Sequence, residues 1–303
     1  MRLSFRSRQL AFVLKSIPGR RNPFHILRAP RDLWDTYRNT AHLEREIATL
    51  RHDGLESTER CSVVLLSHNR PYNMDMIVKA AMQSGVVTDL VVSNSNRNVT
   101  ISEWISSEDS RITLIDDRSP TRPGHRFTLA ERMTSNCILA IDDDFFLTPK
   151  QWRELLRRLA ALPSVPHGFR GNEYLPGTRS SNGSPFHHVQ NISRETDVLI
   201  GAYAFTREHL GRMRILANEM GLGDLSQLAN GEDILLSFCG HGRPRLHDLG
   251  KIFACASESL EGIALWKTHK NFWQERVDMY NRTKAAAMTC FPEHWTIEQP
   301  DKT

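Results

Sequence analysis

Three consecutive carboxylates, Asp142, Asp143 and Asp144, directly follow a short apolar run at residues 138–141. The run is short, β-branched and bounded by polar residues, which is typical of a buried strand. Adjacent carboxylates repel one another and are costly to desolvate unless a cation lies among them. Mg²⁺ and Mn²⁺ prefer oxygen ligands and commonly share them with phosphates. The triplet therefore predicts either a metal–diphosphate site at a strand end or a solvated acidic turn.

Two other strand-like runs end in side chains that suit a nucleotide. Residues 62–66 lead into Arg70, and residues 90–92 lead into Asn94. Arginine suits a phosphate or a base carbonyl, and asparagine suits the hydrogen-bonding groups of a base or ribose. The carboxyl ends of parallel strands share one edge of a sheet, so we expect these side chains and the Asp triplet to form one nucleotide-diphosphate site. A single Arg or Asn at a strand end is more often structural, so the prediction depends on their joint placement.

A second acidic pair, Glu232 and Asp233, follows the turn at residues 230–231. A transferase that uses a nucleotide sugar needs a metal to neutralise the leaving diphosphate and a carboxylate near the sugar and the acceptor. Glu232 and Asp233 are the downstream candidates for that carboxylate. The alternative is that they only stabilise the start of a helix, where the helix dipole favours acids.

The elements before the triplet alternate between strand and helix. Apolar, strand-like runs occur at residues 62–66, 90–92, 111–115 and 138–141. This order predicts an α/β fold with a mostly parallel central sheet flanked by helices, followed by a smaller mixed subregion on the acceptor side. No GxGxxG follows the first strand and the chain has no GxxxxGK[ST], so neither a Rossmann dinucleotide site nor a P-loop ATPase is indicated.

Composition divides the chain into three parts. Residues 1–60 form a basic extension with an amphipathic helix near residues 33–50, residues 61–290 form the main domain, and residues 291–303 form a tail. The net charge of +4 is too small to indicate nucleic acid, and none is expected as a partner. The extension predicts either peripheral contact with an anionic membrane surface or a poorly ordered tail beside a packed helix.

The cysteines and the hydropathy pattern indicate in which cellular compartment the protein is expected. The five cysteines show no CxxC spacing, which indicates buried thiols in a reducing compartment and makes a zinc site improbable. No apolar run reaches the ~18–20 residues of a membrane span, and the run at residues 10–14 is too short for a secretory signal. We expect a cytoplasmic protein, with peripheral contact at the inner membrane surface as one alternative.

Residues 61 to about 281 resemble the exostosin-like glycosyltransferases, which have the GT-A fold. The matching segments lie, in the same order and spacing, at residues 62–70, 91–94, 139–144, 166–170, 199–205 and 230–234. The resemblance implies transfer from a UDP-sugar donor with retention of the anomeric configuration. It also implies Mn²⁺ as the cofactor, for which Mg²⁺ is the alternative.

The same resemblance assigns roles on the donor side. It implies that Arg70 and Asn94 hold the uracil and the ribose, and that Arg126 reaches the nucleotide sugar. Asp142 and Asp143 would touch the ribose and the sugar.

The resemblance also assigns roles around the metal and the acceptor. It implies that Asp144 binds the metal and that Arg276 contacts the diphosphate. Asp233 would lie at the sugar and the acceptor hydroxyl, with Glu232 beside it. His269, seven residues before Arg276, would contact the diphosphate or complete the metal shell. An exposed, merely polar histidine is an equally good interpretation.

The predicted function is metal-dependent, retaining transfer of an N-acetylhexosamine or hexuronic acid from a UDP-sugar to a glycan or lipid-linked acceptor. The loop at residues 120–125 departs from the family pattern, and the family does not identify the acceptor. One alternative is a nucleotidyltransferase or pyrophosphorylase acting on sugar phosphates. Such enzymes usually have a glycine-rich loop and a lysine after the first strand, which residues 67–70 lack. The other is a non-catalytic protein of the same fold that binds a sugar nucleotide or a glycan.

Overall fold

The computed structural model describes residues 4–16, 26–27, 29–49, 59–117, 119, 121–181, 183–255, 258, 264–293 and 295. The helices are α1 (Phe5–Ser16), α2 (Ala29–Thr49), α3 (Pro71–Gln83), α4 (His125–Ala130), α5 (Pro149–Ala161), α6 (Arg207–Glu219), α7 (Glu232–Ser237), α8 (Leu265–Thr268) and α9 (Phe272–Cys290). The first strands are β1 (Cys61–Ser67), β2 (Val87–Asn94), β3 (Ile112–Asp116), β4 (Cys137–Ile141), β5 (Phe145–Phe146) and β6 (His167–Gly168). The others are β7 (Arg170–Tyr174), β8 (Phe186–Gln190), β9 (Arg194–Glu195), β10 (Val198–Leu199), β11 (Ala202–Thr206), β12 (Arg245–Leu246) and β13 (Phe253–Ala254).

An eight-stranded mixed sheet lies at the centre, in the order β3-β2-β1-β4-β11-β6-β12-β9. Strands β3, β2, β1 and β4 are parallel, and β11 runs antiparallel to β4. A smaller antiparallel sheet, β10-β7-β8, lies beside it. The predicted α/β architecture, a mostly parallel central sheet flanked by helices with a smaller subregion, is confirmed.

Strand β1 has apolar residues at successive positions because both of its faces are covered. Val63 and Leu65 pack into a core shared with α3 and α5, whereas Val64 packs into a second core with α4, α6 and α7. Successive side chains point to opposite faces, so a strand covered on both faces needs apolar residues at every position. The register pairs Leu65 with Ile141, which brings the ends of β1 and β4 to one edge.

The sequence at residues 102–107 favours a helix, whereas the structure forms a 3₁₀ turn at Ile101–Glu103. The backbone N–H and the hydroxyl of Ser106 donate to Asp75 Oδ1 at 2.8 and 2.7 Å, which gives this segment polar partners outside a helix. The polar and aromatic segment at residues 266–287 favours a helix or a lid, and the structure forms two helices there, α8 and α9.

The N-terminal helices pack on the main domain. Phe5, Val13 and Leu43 are buried, while Leu14 is 54% exposed. The side chain of Arg6 in α1 forms an ion pair with Glu44 of α2. Phe5 and Val13, two apolar residues of the basic extension, are therefore enclosed by protein and do not face a membrane surface. The side chain of Phe12, and most of the predicted tail at residues 291–303, lie outside the described residues.

Among the residues that the structure describes, no helix is both long and apolar enough to span a bilayer.

A pair of histidines joins β6 to β12. His167 Nε2 donates to the carbonyl of Leu162 at 2.8 Å, so the neutral ring of His167 accepts at Nδ1 from His247 Nε2 at 2.7 Å. The two rings stack with centroids 5.0 Å apart. Burial lowers the pKa of each imidazole to about 4. The neutral forms are therefore part of the folded structure.

Acidification is expected to reduce the stabilisation that these histidines give. Histidine in the unfolded chain titrates at about pH 6.5, so the unfolded state binds protons first as the pH falls. The contribution is complete above about pH 6.5 and decreases until about pH 4. The His247→Gln variant removes one titrating group. Between pH 6.5 and 5, its free energy of unfolding should fall less steeply than that of the wild type, by up to about 1.4 kcal/mol per pH unit. Urea titrations at several pH values measure this, and equal slopes would contradict the assignment.

Candidate functional site

A cavity of about 1060 Å³ opens at the carboxyl ends of β1 and β4. This is the edge at which open α/β sheets bind ligands. Its walls come from both halves of the chain. Eight of the residues predicted from the sequence line it: Arg70, Arg126, Asp142, Asp143, Asp144, Glu232, Asp233 and Arg276.

Arg70 is the internal counter-charge of the triplet. It follows β1 and immediately precedes α3, so it lies beside the end of β4. Its Nη1 lies 2.5 Å from Asp143 Oδ1, and its Nη2 lies 3.2 Å from Asp144 Oδ2. All three side chains are largely buried. One guanidinium therefore offsets the repulsion between two adjacent carboxylates.

Arg126 links the triplet to the second acidic pair. Its Nη2 lies 2.6 Å from Asp142 Oδ1 and 4.0 Å from Glu232 Oε1. Its guanidinium carbon lies 5.1 Å from the centroid of the Tyr203 ring, within cation–π range. Arg126 lies in the first turn of α4, and its Nε donates to the carbonyl of Pro123 at 3.2 Å. This bond anchors the side chain to its own loop.

Arg276 holds Asp233, the second residue of the downstream acidic pair. Its Nη1 and Nη2 donate to Asp233 Oδ1 and Oδ2 at 2.9 and 2.8 Å, a bidentate pair. Phe186 and Phe272 each lie 5.6 Å from the guanidinium carbon. The Nε of Arg276 is buried and has no hydrogen-bond partner among the described residues. Gly231, at φ +90°, is the residue directly before α7, and glycine is required there because a Cβ would lie 2.5 Å from Met279 Cγ.

Burial sets the protonation of two carboxyl groups in the cavity. It raises the pKa of Asp144 to about 8, against the opposing charge of Arg70. It also raises the pKa of Glu232 to about 7, to which the neighbouring Asp233 contributes. A cation that arrives at Asp144 would favour the ionised form.

The donor atoms at the triplet fit a hard divalent cation. Asp144 Oδ1 is buried and has no hydrogen-bond partner among the described residues. Within the same residues, no group of three His, Cys, Asp or Glu side chains could hold a metal by itself. Mg²⁺ and similar ions commonly use one or two carboxylates, waters and substrate phosphates in place of an all-protein cage. Asp144 is therefore suited to contribute one oxygen to such a shell.

The structure does not bring Asn94 or His269 to the cavity wall. Asn94 Nδ2 donates to Asp116 Oδ1 and to the carbonyl of Val99, at 2.8 and 2.7 Å, and its Oδ1 accepts from Asn96. These bonds hold the loop after β2. His269 is exposed, and its Nε2 lies 2.7 Å from a carboxylate oxygen of Glu275. Neither side chain has a ligand-facing position in this conformation, and their roles in binding remain predictions.

The cavity wall contains another charged group, Arg170, to which the sequence assigned no role. Arg170 forms an ion pair with Glu258, donates to His188 at 3.0 Å and lies 4.9 Å from the Phe145 ring centroid. The cavity also has an aromatic wall, which consists of Phe186, Trp266, Phe272 and Trp273. The aromatic residues at positions 266–273 were a usable signal for a ligand-covering segment. Arg170 lies in the matching segment at residues 166–170, but its ion-pair partner Glu258 lies 88 residues away and could not be identified from the sequence.

Backbone geometry at Gly201 fixes the position of the triplet. The carbonyl of Gly201 accepts the N–H of Asp142 at 2.8 Å. Gly201 adopts φ +82°, and a Cβ at this position would lie 2.9 Å from Phe145 Cε2. Any other residue would be strained and would also press on the aromatic ring that follows the triplet.

The Gly201→Ala variant should therefore lose stability by about 1–3 kcal/mol, because alanine disfavours this conformation. It should also bind the site's ligands less tightly. Gly211→Ala is the matched control, because this glycine lies in α6 and no atom of the described residues outside the helix backbone lies within 4 Å of the position of a Cβ. That variant should gain about 1 kcal/mol from helix propensity. Urea unfolding measures both, and a Gly201→Ala variant as stable as the wild type would contradict the constraint.

No protein-family model and no curated protein matches the chain. One similar solved structure is GalNAc-T7 with UDP, GalNAc and Mn²⁺, at 10% identity over 66% of this chain and 44% of that chain, with a TM-score of 0.47. Another is CMP:2-keto-3-deoxy-manno-octonic acid synthetase complexed with CTP, at 12% identity over 52% of this chain and 78% of that chain, with a TM-score of 0.35. The chain spans less than half the length of the GalNAc-T7 chain. These comparisons do not assign it to a family.

Proposed function

We propose that the chain is a metal-dependent, retaining glycosyltransferase of the GT-A fold that uses a UDP-sugar and a glycan or lipid-linked acceptor. The observation that carries the proposal is the convergence of two acidic groups, residues 142–144 and 232–233, with three arginines in one strand-end cavity. The exostosin-like motifs described above supply the finer assignment of donor and stereochemistry. An N-acetylhexosamine or a hexuronic acid is the expected donor sugar.

The diphosphate would lie between the triplet and Arg276. Asp144 would contribute an oxygen ligand to Mn²⁺ or Mg²⁺, which when bound neutralises charge on the leaving diphosphate. Among the described residues the Nε of Arg276 has no hydrogen-bond partner, so it would be able to donate to a phosphate oxygen while Nη1 and Nη2 keep their bonds to Asp233. Arg70 and Arg126 are already fixed at the triplet and would orient the nucleotide and the sugar.

Transfer would proceed with the acceptor hydroxyl on the same face of the sugar as the leaving group. The bond between the anomeric carbon and the diphosphate oxygen breaks, and a bond from that carbon to the acceptor oxygen forms. The hydroxyl proton leaves with the UDP. Asp233 is held rigidly by two hydrogen bonds from Arg276, so it is suited to orient the acceptor and to stabilise positive charge at the anomeric carbon.

The proposal includes the organisation and location expected from the sequence. Residues 61–290 would form the catalytic domain, between an N-terminal extension at residues 1–60 and a tail at residues 291–303. A cytoplasmic location is part of the proposal. Any peripheral contact with the inner membrane would have to use exposed side chains such as Leu14, because Phe5 and Val13 are buried.

A sugar-nucleotide screen by thermal shift is the first test. With Mn²⁺ present, the correct donor should stabilise the protein by about 2.7 kcal/mol at 100 times its dissociation constant. UDP should give a shift with Mn²⁺ and little or none with EDTA. Stabilisation by CTP and a sugar phosphate, without any response to UDP-sugars, would favour the nucleotidyltransferase alternative. No response to any sugar nucleotide with Mn²⁺ would contradict donor binding.

A second test should show that the two acidic groups, residues 142–144 and 232–233, have different roles. Asp144→Asn removes the expected metal ligand, so it should abolish Mn²⁺-dependent donor binding and transfer. Asp233→Asn leaves the triplet intact, so it should bind the donor within a few-fold of the wild type while transfer falls on the order of 100-fold or more. Calorimetric binding of UDP and product formation measure the two effects. Equal loss of binding in both variants would overturn this division of roles.

A further inference from the structure

A glutamine of the N-terminal extension lies directly behind the Asp triplet. Gln9, in α1, is 1% exposed. Its Nε2 donates a hydrogen bond to Asn73 Oδ1, and Asn73 Nδ2 donates to the carbonyl of Asp143 at 2.6 Å. The first branch of this network therefore runs from α1, through the start of α3, to the backbone of the second acid.

A second branch leaves the other end of the same amide. Gln9 Oε1 accepts from the Cys255 thiol at 3.2 Å. The backbone N–H of Cys255 donates to the carbonyl of Asp144 at 2.6 Å. One side-chain amide thus uses its donor towards Asp143 and its acceptor towards Asp144, each through one intermediate residue.

Other contacts hold α1 in the position that this network needs. Phe5 packs edge-on against Phe146, with ring centroids 5.4 Å apart. Arg8, the residue directly before Gln9, lies 3.7 Å from Asp75 of α3. Val13 is fully buried. The helix is thus fixed to β5 and to α3, the two elements that flank the triplet.

We propose that Gln9 is a positioning residue of the metal and diphosphate site, and that α1 is a working part of that site. Its role follows from its two hydrogen bonds, because loss of the amide would free Asn73 and Cys255, the two residues that bind the carbonyls of Asp143 and Asp144. The carboxylate of Asp144 is attached to that backbone, so its oxygen would lose its fixed position. The metal-binding part of this inference rests on the proposed function.

The test compares three variants with the wild type. Gln9→Met keeps the apolar volume and removes both polar branches. Cys255→Ala removes only the thiol branch and is the milder change. Val13→Ala is the matched control, because it weakens the burial of the same helix and leaves both branches intact.

Two measurements are made on each full-length protein. Hydrogen–deuterium exchange is followed in peptides that cover residues 142–148 and 249–255. Binding of Mn²⁺ in the presence of UDP is followed by electron paramagnetic resonance of free Mn²⁺. Melting temperatures report the general loss of stability.

Gln9→Met should raise exchange in both peptides at least threefold and weaken Mn²⁺ binding about tenfold, which is about 1.4 kcal/mol. Cys255→Ala should affect mainly the second peptide. Val13→Ala should lower the melting temperature without either change. Unchanged exchange in Gln9→Met, or faster exchange with unchanged Mn²⁺ affinity, would overturn the proposal.

The wild type and the Val13→Ala control together distinguish failure of the proposed function from failure of the positioning role of Gln9. If the wild type binds no Mn²⁺ with UDP, the proposed function fails, and the exchange measurement alone decides whether Gln9 holds the backbone of the triplet. If Val13→Ala reproduces both effects of Gln9→Met, the contribution is general docking of α1, and the positioning role of Gln9 is refuted.

Discussion

The burial of like charges is the constraint on which this structure depends. Five carboxyl groups, at residues 142–144 and 232–233, line one cavity. Burial, together with a repulsion of about 4 kcal/mol between two unit charges 4 Å apart at an effective dielectric constant of 20, raises the pKa of Asp144 and of Glu232. Arg70, Arg126 and Arg276 offset that repulsion at distances of 2.5–3.2 Å. Because breaking a buried pair is costly, both members of each pair hold one another in place. The cavity is thereby pre-organised for a ligand that carries phosphates and a cation.

The sheet brings these groups together from distant parts of the sequence. The parallel register of β1 and β4 places Arg70 beside the triplet, and the antiparallel β11 returns to present Tyr203 beneath Arg126. The segment after Gly231 then adds the second acidic pair. Each charged partner is thus carried by a different element, so the charge pairs also tie the elements to one another. Stability and site geometry are coupled for this reason.

Much of the fold and part of the site could be predicted from local sequence pattern. Apolar strands and the acids that follow them are local features, which is why Asp144 and Arg70 were placed at one sheet edge. Asn94 looked equivalent, but its amide is used by the loop that follows, and competition between ligand and backbone cannot be read from residue type. Gln9 carried no signal at all, because its partners lie 64 and 246 residues away.

The N-terminal extension illustrates the same limit. Its basic charges and apolar residues are compatible with a membrane surface, with disorder or with docking on the domain. Only the tertiary structure shows Phe5 against Phe146 and Arg6 beside Glu44. Packing of a helix on protein and binding of a helix to a lipid surface favour the same amphipathic sequence pattern, since both bury apolar side chains and pair charged ones. The composition of residues 1–60 could not distinguish these outcomes.

Proton NMR of the products from a UDP-sugar distinguishes metal-dependent, retaining transfer from its alternatives. With Mn²⁺, we expect UDP and a sugar with the anomeric configuration of the donor to form together, on the acceptor or in slow hydrolysis, and we expect EDTA to stop the reaction. A first-formed sugar of inverted configuration would contradict it. So would UMP and a sugar phosphate as the products, or an unchanged rate in EDTA.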